Sequence, residues 1–172
     1  MPMRRATALL ACLASWGVVR PSAAQTDQSL VVSSDDFVAG SLMPVDVTCF
    51  GADRSPQLSW TSVPESTRSI AVILDEPASS GKTLWLVFDI DATRRSLPPG
   101  GGVGTPGTND LDRVGYSGPC PETPGRRHDY RFLVYGLDAV LPLGSKTTRA
   151  VLDRAMYGHV VARGQLLASA VQ

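Results

Sequence analysis

The chain has 172 residues, 43% of them hydrophobic, and its 16 Lys and Arg balance 16 Asp and Glu at neutral pH. That length fits one domain with an ordinary core and strains to hold two. A chain without net positive charge lacks the surface that draws nucleic acid or anionic lipid.

Arg4 and Arg5 precede an apolar run from Ala6 to Val19, followed by the small residues Ser22, Ala23 and Ala24. Charged, apolar and small residues in that order make a secretory leader. The run is too short to cross a roughly 30 Å hydrocarbon core comfortably as a helix. We place cleavage after Ala24, so that residues 1–24 are the signal peptide and residues 25–172 a single mature domain. The competing reading, a lipid anchor on Cys12, leaves too few apolar residues before the cysteine. Cleavage removes three arginines and no acid, leaving 13 basic against 16 acidic groups on a periplasmic or secreted protein.

In the mature part, Pro and Gly punctuate short apolar runs, which argues for many strands joined by turns. Residues 69–75 (SIAVILD), 84–90 (LWLVFDI) and 130–137 (YRFLVYGL) are the clearest strands. Their near-continuous apolarity predicts central strands covered on both faces. Residues 96–112 (SLPPGGGVGTPGTNDLD) read as one long Gly/Pro loop, functional or mobile by its length. A helix is predicted near 146–158, with Ser145 able to cap it and Val151, Leu152, Ala155, Met156 and His159 at helical spacing.

Cys49 and Cys120 remain after processing. An oxidising compartment allows a disulfide between them, and two buried free thiols are the alternative. Two cysteines with the separated His128 and His159 lack metal-ligand spacing. No Gly-x-Ser-x-Gly elbow, His-Glu-x-x-His pair or phosphate-cradling turn is present. Cys120 beside His128 suggests a thiol nucleophile with its base, but a cysteine between two prolines reads better as a fixed turn.

Five segments, in order, resemble the phosphatidylethanolamine-binding family, in particular its bacterial Raf-kinase-inhibitor-like branch of YbhB/YbcL type. They are Cys49-Phe50-Gly51 with Ser55-Pro56-Gln57-Leu58-Ser59-Trp60; Asp75-Glu76-Pro77; Asn109-Asp110 with Gly115 to Pro121 (GYSGPCP); Gly125 to Phe132 (GRRHDYRF); and Ala155 to Ala162 (AMYGHVVA). The resemblance implies a mainly β fold, two antiparallel or mixed sheets with a short C-terminal helix. It also implies one pocket for phosphate-like head groups, with no cofactor.

Carried over residue by residue, the resemblance puts Asp75, Pro77, Gly118, Pro119, His128 and Tyr130 around that pocket. Rigid Pro/Gly segments can hold backbone N–H groups ready for an oxyanion, and a histidine adds adjustable donors. Read on its own, His128 is an exposed loop-edge histidine before a strand. Four positions depart from the family pattern: Ile73 for an acid, Leu84 for a second histidine, Glu76 for Ala and Asp129 for Arg. They predict a more acidic rim, a more apolar floor and weaker anion binding, since each lost charge-assisted hydrogen bond removes about 1.5 to 3 kcal/mol.

Two functions are expected from this reading, neither of them enzymatic. The first is weak binding of a phosphorylated or carboxylated small ligand; the second is a protein-interaction module, such as a protease or kinase inhibitor, that uses the pocket mouth and the 96–112 loop. No nucleic acid partner and no transmembrane segment are expected. Intact-mass measurement of protein recovered from the periplasm or medium should give a chain beginning at Gln25. A retained leader, or diacylglycerol on Cys12, refutes the cleavage.

Overall fold

The computed structural model describes residues 28–172; the leader, its cleavage after Ala24 and Cys12 lie outside the described residues. The strands are β1 (Gln28–Ser29), β2 (Val31–Ser33), β3 (Leu58–Thr61), β4 (Ser69–Glu76), β5 (Lys82–Asp91), β6 (Ser96–Leu97), β7 (Thr105–Pro106), β8 (His128–Leu137) and β9 (Val160–Ala170). One helix, α1 (Arg149–Met156), precedes β9, and single 3-10 turns occupy Val45–Val47 and Pro77–Ser79. The chain is mainly β, as expected. A six-stranded sheet runs β1-β9-β8-β4-β5-β7 and a three-stranded sheet runs β2-β3-β6. β1 lies parallel to β9, while β4 pairs antiparallel with both β5 and β8.

The apolar strands are covered on both faces. Ile70, Val72 and Leu74 of β4 join Tyr130, Phe132 and Val134 of β8, and these pack with Leu58 and Trp60 of β3 and Leu97 of β6. Ala71 and Ile73, on the other face, pack with Leu86, Phe88 and Leu137 against Leu152 and Met156 of α1. Alternation along each strand thus feeds two cores, one between the sheets and one under the helix.

Three elements differ from the sequence expectation. The helix starts at Arg149, with Thr148 and not Ser145 at its N-cap position. Thr108 explains the late start: its hydroxyl donates to the Ser145 carbonyl at 3.0 Å and its N–H to the Thr147 carbonyl at 2.8 Å, holding these residues in a turn. The 96–112 segment is no free loop, since β6 pairs with β3 and β7 with β5. Asn109 fastens its end, donating to the Leu84 carbonyl and Ser117 Oγ, both at 2.9 Å, and accepting from the Leu111 and Arg113 amides. Strand β9, eleven residues pairing along the length of β8, carried no clear strand signal. Gly164 interrupts its pattern for a packing reason: a Cβ there would collide with the Leu30 carbonyl and Val32.

Cys49 and Cys120 form a disulfide with Cα atoms 5.3 Å apart, closing a sequence separation of 71 residues. It joins the end of the 45–47 turn to the segment leading into β8. Closing a loop of that length removes unfolded-state entropy worth about 4 kcal/mol at room temperature. Reduction, or a Cys49→Ser/Cys120→Ser pair, should lower unfolding free energy by about that amount in denaturant melts. Equal stability of oxidised and reduced protein would mean that this account of the bridge fails.

Candidate ligand pocket

Two consecutive acids at the end of β4 point in opposite directions. Asp75 stands opposite Arg131 of β8 in the sheet register. Arg131 grips its carboxylate with Nε at 2.9 Å and Nη2 at 3.0 Å, the forked pairing that arginine favours. Arg149, the first residue of α1, adds Nη1 at 3.3 Å from Asp75 Oδ2 and is itself tied to Asp153 at 2.9 Å. The Asp75 side chain is 1% exposed. It anchors the helix to the outer face of the large sheet and does not reach the pocket expected of it.

Glu76, one residue on, shares the face of Leu74 and Val72. Its Oε1 lies 2.6 Å from His128 Nδ1, with side-chain exposures of 10% and 23%. His128 opens β8 on the same face as Tyr130. Its Nε2 is buried and meets no hydrogen-bonding partner among the described residues. The Glu76–His128 pair separates two adjoining depressions of about 290 and 530 Å³. Lys82, Cys120, Glu122 and Tyr130 line the smaller one, and Pro77, Arg126 and Arg127 the larger, while Ser79 borders both. Burial, then the negative charge of Glu76, pushes the Tyr130 phenol well above its ordinary pKa, so its hydroxyl keeps its proton.

Pro77, His128 and Tyr130 therefore line these depressions. Gly118 and Pro119 sit behind the wall. The Gly118 N–H donates to Asp53 Oδ1 and the Pro119 carbonyl accepts from the Cys49 amide at 3.1 Å. Gly118 cannot carry a side chain, because a Cβ would lie 2.6 Å from the Val47 carbonyl oxygen. Ile73 packs in the core under the helix and so cannot floor the pocket. Leu84 is buried between the sheets and lines neither depression. Asp129 points outward, 79% exposed, near Arg127 at 3.6 Å.

Sequence reading singled out Asp75 and treated Glu76 only as a departure. Counting alternation back from the buried run would have reversed them, since Glu76 has the parity of Ile70, Val72 and Leu74. Lys82, Ser79 and Arg126 carried no signal; a turn through left-handed Ser80 and Gly81 brings the first two to the rim. Among the described residues no group of three potential ligands could hold a metal, and no helix is long and apolar enough to cross a membrane. Among the described residues, another cavity of about 130 Å³ beneath Gly100–Gly104 holds the unpartnered Ser55 hydroxyl but no charged group.

The phosphatidylethanolamine-binding protein family profile matches residues 33–170. A UPF0098 protein of Pyrococcus abyssi is 34% identical over 149 residues, 81% of each chain. One from Pyrococcus horikoshii is 33% identical over 169 residues, 92% of this chain and 85% of its own. Two crystal structures superpose with a TM-score of 0.77, each over 83% of this chain: a phosphatidylethanolamine-binding protein homologue of Chlamydia trachomatis, 28% identical and 97% covered, and E. coli YbcL, 26% identical and 98% covered.

The clamp and the pocket make separable predictions. Asp75→Asn keeps the shape but removes the charge that two arginines share, and should cost about 2 kcal/mol of stability in denaturant melts. The NMR signals of the His128 ring should stay in place. If they move as far as in Glu76→Gln, Asp75 belongs to the pocket after all.

Proposed function

Because the chain belongs to the phosphatidylethanolamine-binding protein family, we propose that it is an exported, non-enzymatic binder of one small ligand whose polar head sits against His128. The observation that carries this reading is the buried His128 Nε2, a strong hydrogen-bonding atom without a partner among the described residues, beside two open depressions. A buried polar atom left unpaired costs about 1 to 3 kcal/mol, which a ligand group bonded to it recovers. The disulfide supports an oxidising, extracytoplasmic compartment. Two findings speak against catalysis. Cys120, the thiol nearest His128 in sequence, is bonded to Cys49, and among the described residues the His128 ring hydrogen-bonds Glu76 rather than a hydroxyl or thiol.

Binding of phosphorylated or carboxylated head groups through the imidazole is weak, because a carboxylate of the chain already faces it. The interaction-module reading loses ground, since the 96–112 segment it relied on is stitched into both sheets and buries Leu97 and Asn109. Titration of phosphoethanolamine into the labelled protein should give a dissociation constant of about 1 mM or weaker. His128→Ala should abolish the response. Micromolar affinity overturns the weak-binding reading, and no response at any concentration returns the pocket mouth to a protein partner.

A further inference from the structure

Glu76 stands where an incoming anion would have to stand. Its carboxylate oxygen is 2.6 Å from His128 Nδ1, and only a tenth of its side chain is exposed. An ionised carboxylate can only accept, so the proton between them sits on Nδ1. The neutral ring then offers Nε2 as an acceptor, a lone pair looking for a donor. Protonating the ring as well makes Nε2 a donor, but Glu76 cancels the charge gained. With Glu76 ionised, the pair is negative or neutral and never positive.

The neighbouring charges keep that sign. The smaller depression is lined by Lys82 and Glu122, and the larger by Arg126, Arg127 and Asp129. Arg127 is engaged by the Gly40 carbonyl at 2.7 Å and by Asp129. Lys82 and Arg126 form no ion pair among the described residues, so free positive charge lies at the rim and none at the imidazole. The Gly118 amide, a second donor suited to an oxyanion, is already held by Asp53.

We propose that Glu76 is the specificity-determining residue of this pocket and sets it to receive the donor end of a ligand, a primary ammonium or hydroxyl, at the Glu76–His128 pair in preference to a phosphate or carboxylate. The inference rests on the reading of the pocket as a small-ligand site. It moves the cause of weak anion binding from Leu84 and Ile73, which do not line the pocket, to a carboxylate that does.

The test is competition between two simple probes, sodium phosphate and ethanolamine, followed on the ring nitrogens of His128 at fixed pH and ionic strength. The chain has two histidines, and His159, held by Asp138 at 2.8 Å far along the sequence, serves as the internal control. In the native protein ethanolamine should bind at His128 about tenfold or more tightly than phosphate. Glu76→Gln, which keeps the shape without the charge, should reverse the order, raising phosphate affinity by about tenfold. Glu76→Ala serves as a second variant, with folding checked by the β-sheet dichroism of each protein. The proposal fails if phosphate binds the native pocket as well as ethanolamine does, or if neither variant changes the ratio while His128 still responds. Silence of His128 towards both probes in every folded protein overturns the small-ligand reading itself, and the inference with it.

Discussion

Strand alternation at one point of the large sheet, the Asp75-Glu76 pair at the end of β4, fixes both the helix and the pocket. Neighbouring residues of a strand face opposite sides, so one acid is committed to each. Asp75 is drawn into the helix layer by Arg131 and Arg149. Glu76 is thereby turned to the other face, where β8 presents His128 and Tyr130. A one-residue slip would exchange the two acids, setting the longer Glu76 against the arginines and the shorter Asp75 towards His128, and would turn the apolar residues of β4 to the opposite faces. The forked Asp75–Arg131 pair, directly across the ladder, opposes such a slip between β4 and β8. Pocket chemistry and helix docking are consequences of the same register.

Side-chain carboxylates recur as partners for donors that the backbone ladders do not satisfy. Asp110 accepts from the Thr83 amide at 2.7 Å, Asp36 from Gln57 at 2.7 Å, Asp53 from Gly118 and Asp89 from Leu141 at 2.7 Å. Asp89 sits at the irregularity where β4 and β5 change register, in a left-handed conformation that Asp tolerates. Burial raises its pKa, and the Leu141 amide opposes that rise. Glu76 on His128 repeats the pattern with a side-chain donor. Loop-rich proteins must satisfy every buried amide, and here short acids do much of it. The consequence at the pocket is that donors which look free in the sequence are already engaged.

Strand positions were legible because the runs 69–75, 84–90 and 130–137 are apolar on both faces, and both faces are covered. Their ends were harder, since Lys82 and His128 continue the ladders with polar side chains. β9 escaped because Gly164 and Gln165 break its apolar pattern, and only a strand crossing above it requires the glycine. The helix start was misplaced because Ser145 looks like a cap until Thr108, 37 residues away, claims its carbonyl. Pro77, His128 and Tyr130 could be placed from the family resemblance. Asp75 could not, because conserving its place in a motif says nothing about which face a bulged strand turns outward. The pairing of Cys49 with Cys120 stayed open in the sequence for the same reason: it depends on how the 45–47 turn meets the segment before β8.

A pocket can favour anions by holding more donors than its own acceptors can use. Amides fixed by Pro and Gly, with an imidazole free to charge, form such a site. In this chain the imidazole and the Gly118 amide each meet an internal carboxylate, so the excess is gone while the cavity remains. Burying Glu76 without a partner would be costly, and His128 is the partner within reach. Replacing either residue alone leaves the other buried and unmatched, so the two are bound together energetically, whatever the ligand. What remains for a ligand is the second ring nitrogen, the shape of two depressions and the charges of Lys82 and Arg126 at their rims, which form no ion pair among the described residues. Under the proposed specificity, recognition rests on the placement of a donor group relative to those charges, a stricter geometric demand than attraction to a positive pocket.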